Sequence, residues 1–291
     1  MIYNFLNNYK FKGEVEFEIV KSRPNIIYLI KNNNEFYIVK FYSQYTKIFN
    51  EVSILQLLNF KNVQSIEIIR NNKDKYITPI TGGEKMYGVI YEFLYEQEGK
   101  QFNSNKNAKN LLNKYMCFKE VLNTHYNFLN TESIVHYNKE ILIERPLTKI
   151  KGFKNIAKFT SRLKEIEGKF SSKTSSENIP TQIIHGDLHR GNILFSKDIT
   201  FIDFEDIGWG SPLLDISSLL IEGDKRSSEY ENSIIKESIQ YFGSKSVEQD
   251  LFYYKAINYL VTLSRGDVLI SDTLITKYLT LIEDCLLKGG L

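Results

Sequence analysis

Charged and apolar residues alternate over Glu14–Lys21 (EVEFEIVK), the period-two pattern of a half-buried strand. Ile26–Ile30 is an unbroken apolar run, Asn32–Asn34 is a turn by composition, and Glu35–Tyr42 (EFYIVKFY) returns as a third strand. Ile48, Phe49, Val52, Leu55 and Leu58 then recur at helical spacing, and Gly88–Leu94 (GVIYEFL) reads as a further apolar strand. After the polar stretch Glu96-Gln97-Glu98-Gly99 the period changes, and residues 104–128, 152–170, 226–242 and 246–264 read as helices. Ser171–Asn178 (SSKTSSEN) is a loop by composition, and the chain holds no internal repeat. The expectation is an α+β chain of two lobes. Residues 1–95 form a small antiparallel sheet with one helix, and residues 96–291 form a mostly helical lobe.

The helical half is interrupted by Ile183-Ile184-His185-Gly186-Asp187-Leu188-His189-Arg190-Gly191-Asn192-Ile193-Leu194, followed by Phe201-Ile202-Asp203-Phe204-Glu205-Asp206. Two apolar stretches flank a polar loop holding Asp187 and Asn192, and another apolar stretch ends on Asp203. Phosphoryl transfer needs little covalent help from a protein. It needs a nucleophile held in line and cations that neutralise the phosphate oxygens. Asp187 can orient or deprotonate an attacking hydroxyl, while Asn192 and Asp203 offer a neutral and a charged oxygen to a hard cation such as magnesium. Gly186 and Gly191 let the loop turn tightly. A surface hairpin also uses Asp, Asn and Gly. The whole combination, with a strand ending on Asp203, sets it apart from an ordinary turn.

His185–Asn192 resembles the catalytic loop of the aminoglycoside phosphotransferase and choline kinase group of small-molecule kinases. Ile202–Asp206, with Gly208, Pro212 and Asp215-Ile216 beyond, resembles the metal-binding segment and following helix start of that group. The well-matched region spans residues 183–218. The resemblance implies a bilobal protein-kinase-like fold, ATP (or GTP) as donor and Mg2+ as cofactor. Asp187 becomes the catalytic carboxylate, Asn192 and Asp203 the metal ligands, and Asp215 an anchor beneath the loop's backbone. It also implies that Lys40, on the third strand, pairs with Glu51, the one acidic residue between the Asp/Glu-free segments 36–50 and 52–66, to place the phosphates. Tyr91–Leu94, including Tyr91 and Phe93, becomes the strip beside the base. One expected part departs from the pattern. The first turn, Ser22-Arg23-Pro24-Asn25, has no glycine, and Pro24 removes an amide donor, so Ser22 and Asn25 are left as side-chain candidates for the phosphates.

Composition changes this picture little. A chain of 291 residues with 42% hydrophobic and 25% charged residues has ample material for a core. A net charge of +2 gives no basic excess for nucleic acid. Residues 181–291 carry 17 acidic against 10 basic residues, a tilt that is either ordinary solvated surface or an attraction for a cationic hydroxylated small molecule as acceptor. The two cysteines, Cys117 and Cys285, have neither metal-ligand nor disulfide-framework spacing. With no apolar run of membrane length and no signal-like start, a cytoplasmic protein without membrane contact is expected. For His185 a loop-bracing role is favoured over chemistry. His189 and the acids Glu205 and Asp206 stay open between site contacts and packing, and Trp209 between a substrate lid and a core aromatic. Two other functions stand beside the kinase. One is a non-catalytic kinase-fold binding protein of spore-coat type. The other is a protein kinase, disfavoured by His-Gly-Asp in place of His-Arg-Asp and by the twelve-residue gap from Asp203 to Asp215. The pattern fixes neither the acceptor nor the oligomeric state.

Overall fold

The computed structural model describes residues 1–22, 25–80, 85–95, 105–131, 134–173, 179–221, 228–266 and 270–291. Arg23 and Pro24 of the first turn, Glu96–Gly99 at the expected lobe boundary and residues 174–178 of the predicted loop lie outside the described residues. The chain forms two compact units. The first contains residues 1–100, 117–134 and 191–207, and the second contains 101–116, 135–190 and 208–291.

The first unit is built on an antiparallel sheet. Its strands are β1 (Val15–Lys21), β2 (Ile26–Asn32), β3 (Glu35–Tyr42), β4 (Ile68–Ile69), β5 (Thr78–Ile80) and β6 (Met86–Glu92), in the order β1-β2-β3-β6-β4 with β5 also on β6. Alternation along the strands decides which side each residue faces. Tyr28, Ile30, Val39, Phe41 and Ile90 pack against Ile2, Phe5 and Leu6 of the short helix α1 (Ile2–Leu6), together with Tyr9. Lys40 and Tyr42 therefore share the opposite face of β3. The register sets Lys40 opposite Ile27 on one side and Val89 on the other. The predicted helix is α2 (Tyr45–Phe60), which buries Ile48, Val52, Leu55 and Leu58 and also the polar Asn50 and Glu51.

The alternation predicted for β1 holds as far as Phe17 and then fails, and the register shifts between Ile19 and Lys21. Ile19, the last residue in regular register, and Val20 are 61% and 60% exposed. The hairpin of β9 (Ile193–Phe195) and β10 (Ile199–Phe201) belongs to the first unit. There Phe118, on helix α3 (Asn105–His125), packs on Phe201 and Phe204 with ring centroids 5.4 and 5.5 Å away.

In the second unit, β11 (Gly208–Gly210) runs between β7 (Val135–His136), parallel to it, and β8 (Gln182–Ile184), antiparallel. Around this ribbon lie α4 (Arg145–Lys151), α5 (Thr160–Ser172), α6 (Pro212–Ser218), α7 (Ser228–Phe242), α8 (Ser246–Ser264) and α9 (Asp272–Lys288). Helix α8 touches α4, α6, α7 and α9 and buries Leu251, Ala256, Ile257, Leu260 and Leu263 among them. Ser211 caps α6 by accepting from the Leu213 amide, with Pro212 at the first helical position. Ser271 caps α9 through Leu274. The predicted helices are present within a few residues of their expected ends, except that 152–170 begins as a 3₁₀ turn (Ile156–Phe159) before α5. Helix α9, and α4 with the π-helical turn Glu140–Glu144 before it, were not predicted. No helix among the described residues is long and apolar enough to cross a membrane.

Gly88 of β6 sits against the aromatic layer. A Cβ there would come within 2.4 Å of Phe5 Cε2 and 2.8 Å of Phe41 Cε1. Gly88→Ala should destabilise the protein by about 1–3 kcal/mol, the usual cost of overpacking, and Phe5→Leu in the same chain should recover part of it. Thermal unfolding checks both, and an unchanged midpoint in Gly88→Ala would contradict this packing.

Candidate active site

In the first unit the strand register brings Lys40 and the helix residue Glu51 together. Lys40 Nζ lies 3.7 Å from Glu51 Oε2, 2.5 Å from Asp203 Oδ1 and 3.9 Å from Glu205 Oε2, and its side chain is only 7% exposed. Burial alone would lower the pKa of this ammonium. The carboxylates of Glu51, Asp203 and Glu205 outweigh burial and raise it, so Lys40 stays charged. Glu51 is buried, which pushes its carboxyl up, while Lys40 and two phenol hydroxyls pull it back. Those hydroxyls belong to Tyr42, which donates to Oε2 at 2.5 Å, and Tyr91, which donates to Oε1 at 3.0 Å. Burial and the Glu51 charge hold both phenols well above the usual range, so they remain donors.

Asp203 adopts a left-handed backbone (φ 66°, ψ 62°) at the start of the short turn Phe204–Asp206. Few residues other than glycine adopt this conformation, and Asp is among the more tolerant. Here it turns the chain immediately after β10. The Ile202 amide donates to the Asn192 carbonyl at 3.0 Å, so the ends of the two strands that carry Asn192 and Asp203 lie side by side. Asn25 Nδ2 donates to Glu205 Oε2 at 2.6 Å, and Lys47 pairs with Asp206 at 3.1 Å. Ser22 is exposed just past β1.

Beside this cluster opens a cavity of about 470 Å³. Its walls are apolar (Ile27, Ile38, Leu55, Ile66, Leu194 and Ile202), with Tyr91 and Phe93 on the β6 side and Lys40, Glu51 and Asp203 supplying the charge. Volume and lining suit a small organic ligand with one polar end. The donor set also fits a magnesium ion. Asn192 and Asp203 carry side-chain oxygens of the kind that ion takes, and three carboxylates around one ammonium leave a formal negative excess.

In the second unit, Asp215 of α6 organises the loop after β8. It is fully buried, which pushes its carboxyl up, and the donors around it oppose that shift. Its Oδ2 accepts from the His185 amide at 2.7 Å and from Tyr115 Oη at 3.0 Å, and its Oδ1 accepts from the Gly186 amide at 2.9 Å. Ser218 Oγ adds a bond to the Leu188 carbonyl at 2.5 Å. Gly186 takes φ 83°, a conformation available to glycine at no steric cost. His185 is buried and accepts the Asp187 amide on Nδ1 at 3.4 Å. Trp209 sits on β11 opposite Ile183 and His136.

Asp187 Oδ2 is 3.5 Å from His189 Nε2, and Oδ1 is 3.3 Å from Arg265 Nη1, just past the end of α8. Partial burial works against its charge. His189, Arg265 and His185 together overcome this and lower its pKa to about 2. It is thus a carboxylate across the neutral range.

Lys40, Glu51, Asn25, Tyr91, Phe93, Asn192 and Asp203 all belong to the first unit, whereas Asp187 belongs to the second. Two contributors were missed in the sequence. Tyr42 was detectable, because it lies two positions after Lys40 on the same strand face. Arg265 gave no local signal, being 78 positions from Asp187.

Residues 148–244 match the model of the phosphotransferase enzyme family, a span that contains both the loop of Asp187 and the segment of Asp203. No curated protein matches the chain in sequence. Among solved structures, a microcompartment-associated aminopropanol kinase superposes with a TM-score of 0.73 at 17% identity, covering 99% of this chain and 95% of that one. Spectinomycin phosphotransferase, solved with ADP and spectinomycin, gives 0.69 at 14% identity over 99% and 96%. An amicoumacin kinase in complex with AMP-PNP, Ca2+ and Ami gives 0.67 at 16% identity over 99% and 92%. The kinase-like α+β fold is thereby shown. The resemblance to small-molecule phosphotransferases read from the loop is borne out by the family match.

Two predictions come from this geometry. Asp187 has a folded pKa of about 2 against an ordinary 3.8. Its ionised form therefore contributes stability above about pH 4 that is lost as pH falls through about 2. Wild type should lose stability faster than Asp187→Asn over that interval in acid unfolding, and equal slopes would mean that His189 and Arg265 do not hold the carboxylate. Separately, Tyr42→Phe with Tyr91→Phe removes two bonds to a buried charge, worth about 1.5–3 kcal/mol each. The double variant should unfold at lower denaturant concentration than either single one, and wild-type behaviour would contradict the role of the phenols.

Proposed function

We propose that this phosphotransferase-family chain is an ATP-dependent kinase that phosphorylates a hydroxyl of a small, amine-bearing molecule with Mg2+. The observation that carries the reading is the Lys40–Glu51–Asp203 cluster, joined within 4 Å and set at the charged end of an apolar cavity of about 470 Å³. An apolar slot with a fixed ammonium and a metal-binding carboxylate at one end is what a purine nucleoside with a phosphate tail requires.

On this reading Lys40, kept in place by Glu51, contacts the phosphates. Asn192 and Asp203 hold the magnesium, which neutralises developing charge on the phosphate oxygens. Tyr91 and Phe93 flank the base. Their side chains do not discriminate adenine from guanine, so GTP is a second donor to test. Asn25, through Glu205, steadies the metal segment from the first turn, and Ser22 is the remaining side chain there that could reach a phosphate. Asp187 orients the acceptor hydroxyl. With its pKa held at about 2 it is a weak base, so aligning the nucleophile is a larger part of its task than removing the proton. An amine on the acceptor is supported by the acidic tilt of residues 181–291 and by the aminopropanol kinase among the similar structures.

Coupled ADP release over a panel of cationic and neutral hydroxylated metabolites and antibiotics, with ATP and with GTP, tests the whole reading. Asp187→Asn should lower kcat on the best acceptor by about 10²–10⁴ while leaving nucleotide affinity unchanged. Near-normal turnover in that variant would overturn its assignment. Asp203→Ala should abolish the Mg2+-dependent part of nucleotide binding in a calorimetric titration, and unchanged affinity would remove Asp203 from the site.

A further inference from the structure

The second unit contains a cavity that the proposed reaction does not use. It has a volume of about 390 Å³ and lies between the turn before α4, the end of α5 and the first half of α8. Aromatic rings of Tyr137, Phe170, Tyr253 and Tyr254 form much of its wall. The Phe170 and Tyr253 rings meet edge to face at 5.7 Å, and Tyr253 and Tyr254 do so again at 5.7 Å, which fixes the ring faces.

A buried ion pair stands among these rings. Asp250 is only 3% exposed, and its Oδ1 pairs with Lys173 Nζ at 3.2 Å. Its Oδ2 is buried with no hydrogen-bond partner. A buried carboxylate oxygen left without a donor is costly, and such groups in native proteins call for a partner. Lys173 has three N–H donors, of which one is used on Asp250, and it lies 5.4 Å from the centre of the Tyr253 ring.

Asp250 is the lining residue of α8 most remote from the catalytic loop. Arg265, which contacts Asp187, stands fifteen residues beyond Asp250 at the other end of α8. At 1.5 Å per residue that is about 22 Å along the helix. The cavity shares no lining residue with the loop of Asp187 or with the cavity beside Lys40.

We propose that this cavity is a second binding site, for a neutral polyhydroxylated molecule of monosaccharide size. Charge argues against an ammonium ligand. The carboxylate already holds Lys173, and Lys139 also borders the cavity, so the lining carries two cations and one anion. A hydroxyl both donates and accepts, so a vicinal diol can accept from Lys173 while donating to the Asp250 carboxylate on the oxygen beside it. The apolar C–H face of a sugar ring is matched by the tyrosine and phenylalanine walls. The inference does not depend on the phosphotransferase reading, because none of these residues belongs to the proposed reaction.

Saturation-transfer difference NMR on the full chain tests it, with glucose, galactose, ribose and myo-inositol as neutral probes and ethanolamine and choline as cationic ones. At least one neutral polyol should bind saturably in the millimolar range. Asp250→Asn, which keeps the shape of the side chain, and Tyr253→Ala, at a half-buried wall position, should each weaken that binding at least tenfold. Asp187→Asn should leave it unchanged, which separates this site from the acceptor site. Binding of the cationic probes alone, loss of polyol binding in Asp187→Asn, retention of it in both cavity variants, or no saturable signal from any neutral probe would each overturn the proposal.

Discussion

The first unit depends on one ammonium held against three carboxylates. Taking the Lys40 charge out of water costs several kcal/mol, and the structure offsets that with Glu51, Asp203 and Glu205, each within 4 Å. The arrangement then determines its surroundings. Glu51 must be buried on α2 to meet a strand residue, so it needs donors of its own, and Tyr42 and Tyr91 supply them. Asp203 must face back toward β3, and its left-handed backbone turns the chain just after β10.

The second unit solves a related problem with another buried carboxylate. Among the described residues no lysine or arginine pairs with Asp215 at its oxygens. Two amides of the loop after β8 and the Tyr115 hydroxyl hold it instead. A carboxylate that accepts amide protons fixes backbone rather than a side chain, so the loop's path is set from α6. Asp187, two positions after His185, inherits that rigidity. Its ionisation is then fixed separately by His189 and Arg265. Position and charge state are thus controlled by different residues.

Much of this was readable in the chain. The strands of the first unit and helix α2 follow from period-two and helical spacing, and the loop of Asp187 and Asn192 from its residue types. What escaped reading has physical causes. The register of β1 shifts after Ile19, beside the exposed Ile19 and Val20, and no local composition marks that shift. The lobe expected to end at residue 95 was read along the chain, whereas the compact first unit also takes in 117–134 and the hairpin 191–207. Packing of Phe118 on Phe201 and Phe204 ties those distant segments together, a contact no window of sequence reports. Helix α9 was legible and overlooked. Ile275, Leu279, Ile282 and Leu286 fall at helical spacing behind a Ser271 cap, and all four are buried.

The glycine-free first turn acquires a physical account from the same charges. A glycine-rich turn serves phosphates through its amides, and Pro24 cannot donate one. At the end of that turn the Asn25 side chain bonds Glu205, which itself reaches Lys40 at 3.9 Å. With one ammonium against three carboxylates, the cluster has a formal charge of about −2. A polyphosphate adds further negative charge and would be repelled by this cluster alone. Under the proposed function, nucleotide can approach Lys40 only in company with a cation that Asn192 and Asp203 are placed to take. Metal and nucleotide binding are then coupled by electrostatics, without the backbone cradle that a glycine-rich turn would otherwise provide.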